Sequence, residues 1–318
     1  MKGPSISRRK AITSLALGSA ALSLPLASQA GEIPGDKTGI GAGIEKSTFR
    51  FCLNTSTISG QKPNLSKQIE IASEAGYDGI EVWVRDVQAA LADGSTTSSI
   101  KSLTDDHNIR VESAIGFAPW MTGGNAGFKQ MEEEMTMLAG IGCHRIAAPP
   151  AGVPGDQPLD LFMAGEKYAQ LLELGRKTGV MPQLEFWGSS SVLWHLGQVL
   201  MIAAVADDSD ARILPDVYHL FRGGSNFNAL KMLNGSLIDI FHMNDYPANL
   251  PREEQVDADR VYPGDGAAPM KQILTDLKNM GGEKVLSLEL FNRSYWEEDP
   301  LEVARTGLLK MKQAVSDL

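Results

Sequence analysis

Short apolar runs of β type alternate with longer stretches of helical periodicity from residue 49 onward. The apolar runs are Phe49–Asn54, Gly79–Val84, Arg110–Ile115, Arg145–Ala148, Val180–Glu185, Arg212–Asp216, Leu237–His242 and Lys284–Glu289. The stretches with helical periodicity are residues 64–75, 97–107, 127–140, 160–178, 190–206, 226–234, 268–280 and 300–315. Such regular alternation in one uninterrupted pass predicts an α/β domain, a (β/α)8 TIM barrel over residues 48–318, rather than an open sheet.

Four of the apolar runs end in a residue that can bind a metal ion. These residues are Glu185, Asp216, His242 and Glu289. The active sites of such barrels gather at the carboxyl ends of the strands, so we expect the four side chains to meet there. Three carboxylates and one imidazole suit a divalent ion such as Mn²⁺, Mg²⁺, Co²⁺ or Zn²⁺.

A long polar segment, residues 243–266, follows the seventh run and predicts a loop that covers the site. It contains Arg252 and Arg260, which we expect to bind an anionic or polyhydroxylated substrate. For both arginines the alternative is a solvated charge on the loop surface.

The first thirty residues differ from the rest and predict an export signal. The Arg8-Arg9 pair precedes a mildly apolar segment over residues 11–26, and Ser28-Gln29-Ala30 offers small residues for cleavage. This arrangement resembles a twin-arginine signal and predicts a periplasmic or otherwise exported protein. The alternative is an uncleaved membrane anchor, although the apolar segment is too short and too weakly hydrophobic for a permanent membrane span. Residues 31–47 predict a flexible leader.

The charge and the cysteine content narrow the classes of function. Loss of residues 1–30, which carry four basic and no acidic side chains, changes the formal net charge from −10 to −14. An acidic surface opposes nucleic-acid binding. The chain has 2 cysteines, Cys52 and Cys143, both next to apolar runs. We therefore expect buried, unpaired thiols rather than a disulfide framework.

The strand-end motifs resemble the xylose isomerase-like barrels, a family of sugar phosphate isomerases and epimerases that includes ketohexose 3-epimerases, inosose-processing enzymes and endonuclease IV. The resemblance covers roughly residues 48–316. It is carried by Gly76-Tyr77-Asp78-Gly79-Ile80-Glu81, Leu184-Glu185, Asp216-Val217-Tyr218-His219, His242-Met243-Asn244-Asp245 and Leu288-Glu289. It implies that Glu185, Asp216, His242 and Glu289 bind one divalent metal ion and that His219 contacts the substrate.

Two departures from the ketohexose 3-epimerases put a free ketohexose substrate in doubt. A substrate-binding glutamate of those enzymes is Ser191 here, and an arginine six residues after the strand-seven histidine is Ala248. Among aromatic residues near strand ends, Trp187 is the one we expect to contact a sugar face. Glu81 points either into the barrel or at the site. His107, His144 and His195 are expected to be structural.

A divalent ion can polarise a carbonyl and stabilise the enediolate that forms when an α-proton is removed. Glu185 and Glu289 are the predicted acid and base, and the predicted function is isomerisation or epimerisation of a sugar or polyol ketone. The alternatives are a lyase that eliminates the aglycone from 3-keto-glycosides, a non-catalytic sugar-binding protein and, least supported, an endonuclease. The expected partner is a small carbohydrate, without nucleic acid or a membrane span after cleavage; homo-oligomerisation stays open.

Overall fold

The structure, a computed structural model, describes residues 48–318. The predicted signal and leader over residues 1–47 lie outside the described residues, so both they and export stay predictions. No helix in the described part is long and apolar enough to cross a membrane.

Eight parallel strands form the sheet, in the order β6-β5-β4-β3-β2-β1-β8-β7. The strands are β1 (Thr48–Asn54), β2 (Gly79–Trp83), β3 (Arg110–Ile115), β4 (Arg145–Ala148), β5 (Met181–Glu185), β6 (Ile213–Leu214), β7 (Ile240–Met243) and β8 (Glu283–Leu288). A parallel bridge between Asp216 and His242 connects the two edge strands, β6 and β7, just past the end of β6. The predicted (β/α)8 barrel is therefore confirmed.

Nine α-helices lie in the described part of the chain and alternate with the strands. They are α1 (Leu65–Ala75), α2 (Val84–Ala92), α3 (Thr97–Asp106), α4 (Gly124–Gly140), α5 (Leu161–Thr178), α6 (Leu196–Ala206), α7 (Val217–Arg222), α8 (Met270–Asn279) and α9 (Pro300–Ser316). Short 3-10 helices cover Thr55–Gln61, Phe227–Met232, Gly235–Leu237, Asp257–Asp259 and Tyr295–Glu297.

Local sequence signals explain where several helices begin and end. The side chain of Asn64 accepts a hydrogen bond from the backbone N–H of Lys67 and thereby caps α1, which ends at Gly76 with a positive φ of 92°. Asp160 caps α5 in the same way, and that helix ends at Gly179 with a φ of 80°. Glycine suits both positions, since a left-handed backbone disfavours other residues.

Three element predictions need correction, and two helices were missed. The helix predicted over residues 190–206 begins only at Leu196, because His195 is its N-cap and the residues before it form a loop. The segment 226–234 forms a short 3-10 helix. The strand predicted from Leu237 begins at Ile240, after the 3-10 turn that ends at Leu237. Helices α2 and α7 were not predicted.

The interior of the barrel holds a small apolar layer beneath the polar strand ends. It consists of Cys52, Trp83, Ile115, Ala147, Leu214, Ile240 and Val285. Alternate residues of a strand face the same side, so Cys52 leads up to Asn54 and Ile240 leads up to His242. Both cysteines are free and buried, as predicted. The carboxyl ends of the strands therefore present polar side chains above an apolar floor.

Candidate metal centre and substrate cavity

Three of the four predicted metal ligands meet at the carboxyl end of the barrel. Asp216 follows β6, His242 lies in β7 and Glu289 follows β8. Each offers a ligand atom within 4.8 Å of those of the other two, and all three are buried. Residues that are far apart in sequence converge because parallel strands end at one rim. We refer to Asp216, His242 and Glu289 as the ligand cluster.

Glu185, the fourth predicted ligand, ends β5 and lines the same cavity as Glu289. Burial and, next, the carboxylate of Glu289 raise the pKa of Glu185 to about 8. Its Oε2 atom is buried without a hydrogen-bond partner among the described residues. A cation or a substrate hydroxyl would satisfy this atom, since an unpaired buried oxygen is costly.

A hydrogen-bond network fixes the orientation of the His242 ring. Its Nε2 atom lies 3.0 Å from Glu81 Oε2, which also accepts hydrogen bonds from Ser287 Oγ at 2.7 Å and Asn54 Nδ2 at 2.9 Å. Glu81, whose direction the sequence left open, thus points into the site. Histidines that bind metals commonly donate their second ring N–H to a carboxylate in this way.

The other nitrogen of the ring faces the carboxylates. His242 Nδ1 lies 3.2 Å from Glu289 Oε2 and 3.7 Å from Asp216 Oδ2, yet it forms no hydrogen bond with the described residues. A neutral imidazole nitrogen and two carboxylate oxygens that converge on one point are a ligand set for a divalent cation. The residues present therefore fit the metal ion that the sequence predicts, with Glu185 beside them.

The pKa shifts in the ligand cluster have electrostatic causes. Burial opposes the charge of His242, but the carboxylates of Glu289 and Glu81 outweigh it and raise the pKa of His242 well above its ordinary value. Burial also opposes the charge of Glu289, whereas His242 and Arg260 hold the pKa of Glu289 well below its ordinary value. The same carboxylates that favour a proton on His242 would favour a divalent cation there, which binds the neutral ring and displaces that proton.

Arg260 reaches the ligand cluster from the loop after β7. Its Nη1 atom donates to Glu289 Oε2 at 2.7 Å and to Asp216 Oδ2 at 3.1 Å. Its Nη2 atom donates to Asp257 Oδ1 at 2.6 Å. Two backbone hydrogen bonds between Asp245 and Val261 return the loop to the end of β7 and so carry Arg260 inward.

The two predicted substrate-binding arginines thus have different positions. Arg260 is 1% exposed and lines the cavity. Arg252 is not among the residues that line it; its side chain is 46% exposed and pairs with Glu253 at 2.8 Å. The structure does not bring Arg252 to the site, because it lies in the middle of the loop, away from the point where the loop rejoins the barrel.

His219 lies in α7 and lines the cavity beside Arg260. Asp216 Oδ1 accepts the backbone N–H of His219 at 2.8 Å, so one carboxylate both caps the helix and belongs to the ligand cluster. Burial and then the Arg260 guanidinium lower the pKa of His219. The ring is therefore neutral near pH 7 and suited to hydrogen bonding with a substrate oxygen.

A cavity of about 280 Å³ opens above the ligand cluster, and aromatic side chains form much of its wall. The ring centroids of Trp83 and Phe117 are 5.4 Å apart, those of Phe117 and Trp187 are 6.1 Å apart, and those of Trp83 and Phe291 are 6.2 Å apart. Trp187 thus belongs to the cavity wall, and its contact with a sugar face stays a prediction. This cavity is close to the lower limit for small-molecule sites, about 300 Å³.

Three residues that contact the site were not predicted from the sequence. Asn54 bonds to Glu81 and Glu289, Asn244 donates to Asp216 Oδ2 at 2.8 Å, and Asp257 pairs with Arg260. Asn54 ends β1 and Asn244 follows β7, so the strand-end rule that found the ligands could have found both asparagines. Nothing in the sequence marks Asp257 apart from the other acidic residues of its loop.

Ser191 and Ala248, the two departures from the ketohexose 3-epimerases, both lie outside the cavity lining. Ser191 donates to the backbone oxygen of Gly155 and does not line the cavity. Ala248 is not among the lining residues either, but Arg260 places a guanidinium on the ligand cluster from further along the loop. The absence of arginine at position 248 therefore does not leave the site without one.

The remaining histidines have structural positions. His195 caps α6 through its Nδ1 atom, His107 lies at the end of α3, and His144 precedes β4. None of them is among the residues that line the cavity.

Comparison with known proteins places this architecture in a family. Residues 69–314 match the model of the xylose isomerase-like TIM barrel. The chain therefore belongs to the xylose isomerase-like TIM barrel family. A curated relative, the inosose isomerase of Halalkalibacterium halodurans, is 26% identical over 267 residues, which are 81% of this chain and 94% of the relative.

Two solved structures extend the comparison within the fold. The IOLI protein, crystallised with a bound zinc atom, matches with a TM-score of 0.76 and 23% identity over 84% of this chain and 98% of the other. D-psicose 3-epimerase in the presence of D-fructose matches with a TM-score of 0.65 and 15% identity, over 84% and 99% of the two chains. At these identities the likeness supports the shared barrel.

Proposed function

We propose that this member of the xylose isomerase-like family is a divalent-metal-dependent isomerase or epimerase of a polyol ketone or sugar, acting through an enediolate. The ligand cluster carries the proposal, because its member Glu289 lines one aromatic cavity together with Glu185. The inosose isomerase relatives and the epimerase structure support an enzyme of the sugar isomerase and epimerase class. The inosose relatives favour a cyclic polyol ketone as substrate.

Asp216, His242, Glu289 and Glu185 would hold the metal ion. The ion would polarise the substrate carbonyl and lower the energy of the enediolate, as metal ions do in related proton transfers. Its identity is a matter for measurement; the zinc in the IOLI structure makes Zn²⁺ one candidate beside Mn²⁺, Mg²⁺ and Co²⁺.

The two candidate acid and base residues differ in how their oxygens are used. Glu289 Oε1 accepts from Asn54 at 3.1 Å and Oε2 accepts from Arg260 at 2.7 Å, so both oxygens are held. Glu185 Oε2 has no such partner among the described residues. Glu185 is therefore the better placed to take the α-proton and, once protonated, to return it to the enediolate, whereas Glu289, which His242 and Arg260 hold ionised, would serve mainly as a ligand.

His219 and Arg260 would orient the substrate. Both line the cavity next to the ligand cluster, and the neutral ring and the guanidinium can hydrogen bond to carbonyl and hydroxyl oxygens. Trp83, Phe117 and Trp187 would exclude water and stack on the C–H face of the ring, so the α-proton and Glu185 would be held close together.

The aromatic wall also favours a second candidate, elimination of the aglycone from a 3-keto-glycoside. Phe117 is 44% exposed at the mouth of the cavity, where a substituent on the sugar could extend toward solvent. This reaction begins with the same α-proton removal, but the electron pair then expels the glycosidic oxygen. Release of a free aglycone, rather than a stereoisomer alone, would identify the lyase.

Deuterium incorporation from solvent tests both candidates and the non-catalytic alternative. The metal-loaded protein is incubated in D₂O with inososes, keto-sugars and 3-keto-glycosides, and the recovered compounds are analysed by NMR and mass spectrometry. We expect exchange next to the ketone in at least one cyclic polyol ketone and a loss of about 100-fold or more in Glu185→Gln. Glu173→Gln, an exposed change on α5, is the matched control. Absence of exchange with every compound would contradict the enediolate mechanism.

A further inference from the structure

Arg260 is the one lysine or arginine among the described residues that line the cavity. A phosphorylated or carboxylated substrate would need this guanidinium as its partner. Yet both of its terminal nitrogens, Nη1 and Nη2, are already directed to Asp216, Glu289 and Asp257, at 3.1, 2.7 and 2.6 Å. An anion that enters the cavity would therefore have to compete with protein carboxylates for the same cation.

Asp257 differs from the other two partners of Arg260. Asp216 and Glu289 belong to the ligand cluster, whereas Asp257 lies on the short 3-10 helix of the covering loop. Its side chain is 51% exposed, lines the cavity and accepts a hydrogen bond from Arg260 Nη2 at 2.6 Å. Its carboxylate therefore neutralises part of the guanidinium charge at the wall of the cavity.

The charges at the site leave no positive surplus for an anion. The carboxylates of Asp216, Asp257 and Glu289 already balance the positive charges of Arg260 and a bound divalent ion together, and an ionised Glu185 would add a further negative charge. Glu81, behind His242, adds another acidic group. Like charges brought together in a partly buried cavity repel each other strongly.

We propose that the site selects uncharged polyol ketones over phosphorylated or carboxylated ones, and that Asp257 sets this selectivity by occupying Arg260. The inference rests on the proposed function, because it concerns the substrate class of the same site. Removal of the Asp257 charge would free one edge of the guanidinium and let the cavity accept an anion.

Binding of two unreactive probes separates this inference from turnover. The metal-loaded protein is titrated by calorimetry with myo-inositol and with myo-inositol 1-phosphate, which differ by the phosphate alone. We expect the wild type to bind the neutral cyclitol more tightly, and Asp257→Asn to shift the ratio of the two dissociation constants toward the phosphate by about tenfold, because the carboxylate is half exposed and partly screened. Glu254→Gln removes an exposed charge from the same loop and should change the ratio less than about twofold.

Two outcomes would overturn the inference: a wild type that prefers the phosphate, or equal ratios in Asp257→Asn and Glu254→Gln. If neither cyclitol binds, inorganic phosphate replaces them as the probe. A gain of affinity in Asp257→Asn over Glu254→Gln then supports the role of Asp257, and equal affinity refutes it. Failure of the proposed function would instead appear as absence of deuterium exchange, whatever the binding ratios are.

Discussion

The two ends of the barrel both contain clustered charges, but they are balanced in different ways. At the amino end, Arg50 pairs with Glu112 and Glu283 at 3.2 and 2.9 Å. Arg145 bridges Glu112 and Asp239 at 3.6 and 3.2 Å. Nearby, the Lys284 ammonium donates to the backbone oxygens of Gly235 and Gly281. Protein groups alone neutralise the carboxylates at this end.

At the carboxyl end the acidic side chains exceed the basic ones. Glu81, Glu185, Asp216 and Glu289 are buried there, and Arg260 is the one buried arginine in contact with them in the part of the chain that the structure describes. An uncompensated buried charge persists only where a ligand repays its cost, so we assign stability to the amino end and chemistry to the carboxyl end. The carboxyl end therefore differs from the amino end in its deficit of positively charged side chains, and not in the number of charged side chains.

The largest expected effect at the carboxyl end is a loss of metal affinity when the ligand cluster is disrupted. We expect His242→Ala to lower metal affinity by more than about 100-fold, since even outer partners of a metal ligand contribute about 10–100-fold. Metal content after dialysis, measured by mass spectrometry, and deuterium exchange should fall together. His144→Ala, an exposed histidine next to β4 at the other end, is the control. Unchanged metal content in His242→Ala would mean that the metal site is assigned to the wrong residues.

The amino end should respond in the opposite way. Glu112→Ala leaves Arg50 and Arg145 without a shared partner, and we expect a loss of about 2 kcal/mol in the free energy of unfolding. For a domain of this size that corresponds to a melting temperature about 5 °C lower. Metal affinity below the transition should stay the same. A variant that keeps its stability but loses the metal would reverse the roles given to the two ends.

Glu81 tests how far the network at the carboxyl end extends. Glu81→Gln keeps a hydrogen bond to His242 Nε2 but removes the charge that orients and polarises the ring. We expect metal affinity to fall by about 10–100-fold, measured by competition with a chelating dye. Glu81→Asp should restore part of the loss. Equal metal affinities in the wild type, Glu81→Gln and Glu81→Asp would show that Glu81 does not act on the metal site. Circular dichroism would verify that each protein is folded.

The buried carboxyl group of Glu134 forms no ion pair with a described residue and does not belong to the ligand cluster. Burial raises its pKa above the ordinary value of 4.5, and the amide of Gln130, which donates to it at 2.8 Å, only partly opposes this. The folded protein holds the proton more tightly than the unfolded chain, so this stabilisation is complete below pH 4.5 and is lost as pH rises through the raised pKa.

Glu134→Gln removes this titration, and its expected effect on the free energy of unfolding is the smallest of those considered. We expect the variant to match the wild type near pH 4 and to exceed it by about 1 kcal/mol near pH 8, because the wild type must then bury a charge. Urea denaturation at the two pH values measures the difference. A constant difference between the proteins at both pH values would show that Glu134 does not titrate in this range.

The strands and the ligand cluster could be predicted because buried parallel strands are continuous apolar runs that stop at a polar residue. Helix α2 could not, since Val84 continues the apolar run of β2 and the helix begins without a loop. The six-residue helix α7 is too short for its periodicity to show. Tertiary packing, not the local pattern, decides such boundaries.

The two arginines of the long loop show the limit of reasoning from spacing. Arg252 and Arg260 have equal chemistry and both lie in a polar segment, so the sequence offered no way to choose between them. The choice depends on the path of the loop, and the hydrogen bonds between Asp245 and Val261 that set this path join backbone atoms. Backbone pairing of that kind leaves little trace in the identity of the residues.

The pairing of Asp245 with Val261 also makes the covering loop a closed ring on a fixed neck. Residues 248–254 lie in the outer part of this ring and do not line the cavity, but the backbone oxygens of Leu250 and Glu253 accept hydrogen bonds from Gln255 and Arg222. Side chains of this segment could therefore vary without moving Arg260, whereas a change in its length would disturb the backbone contacts that hold the ring on the barrel.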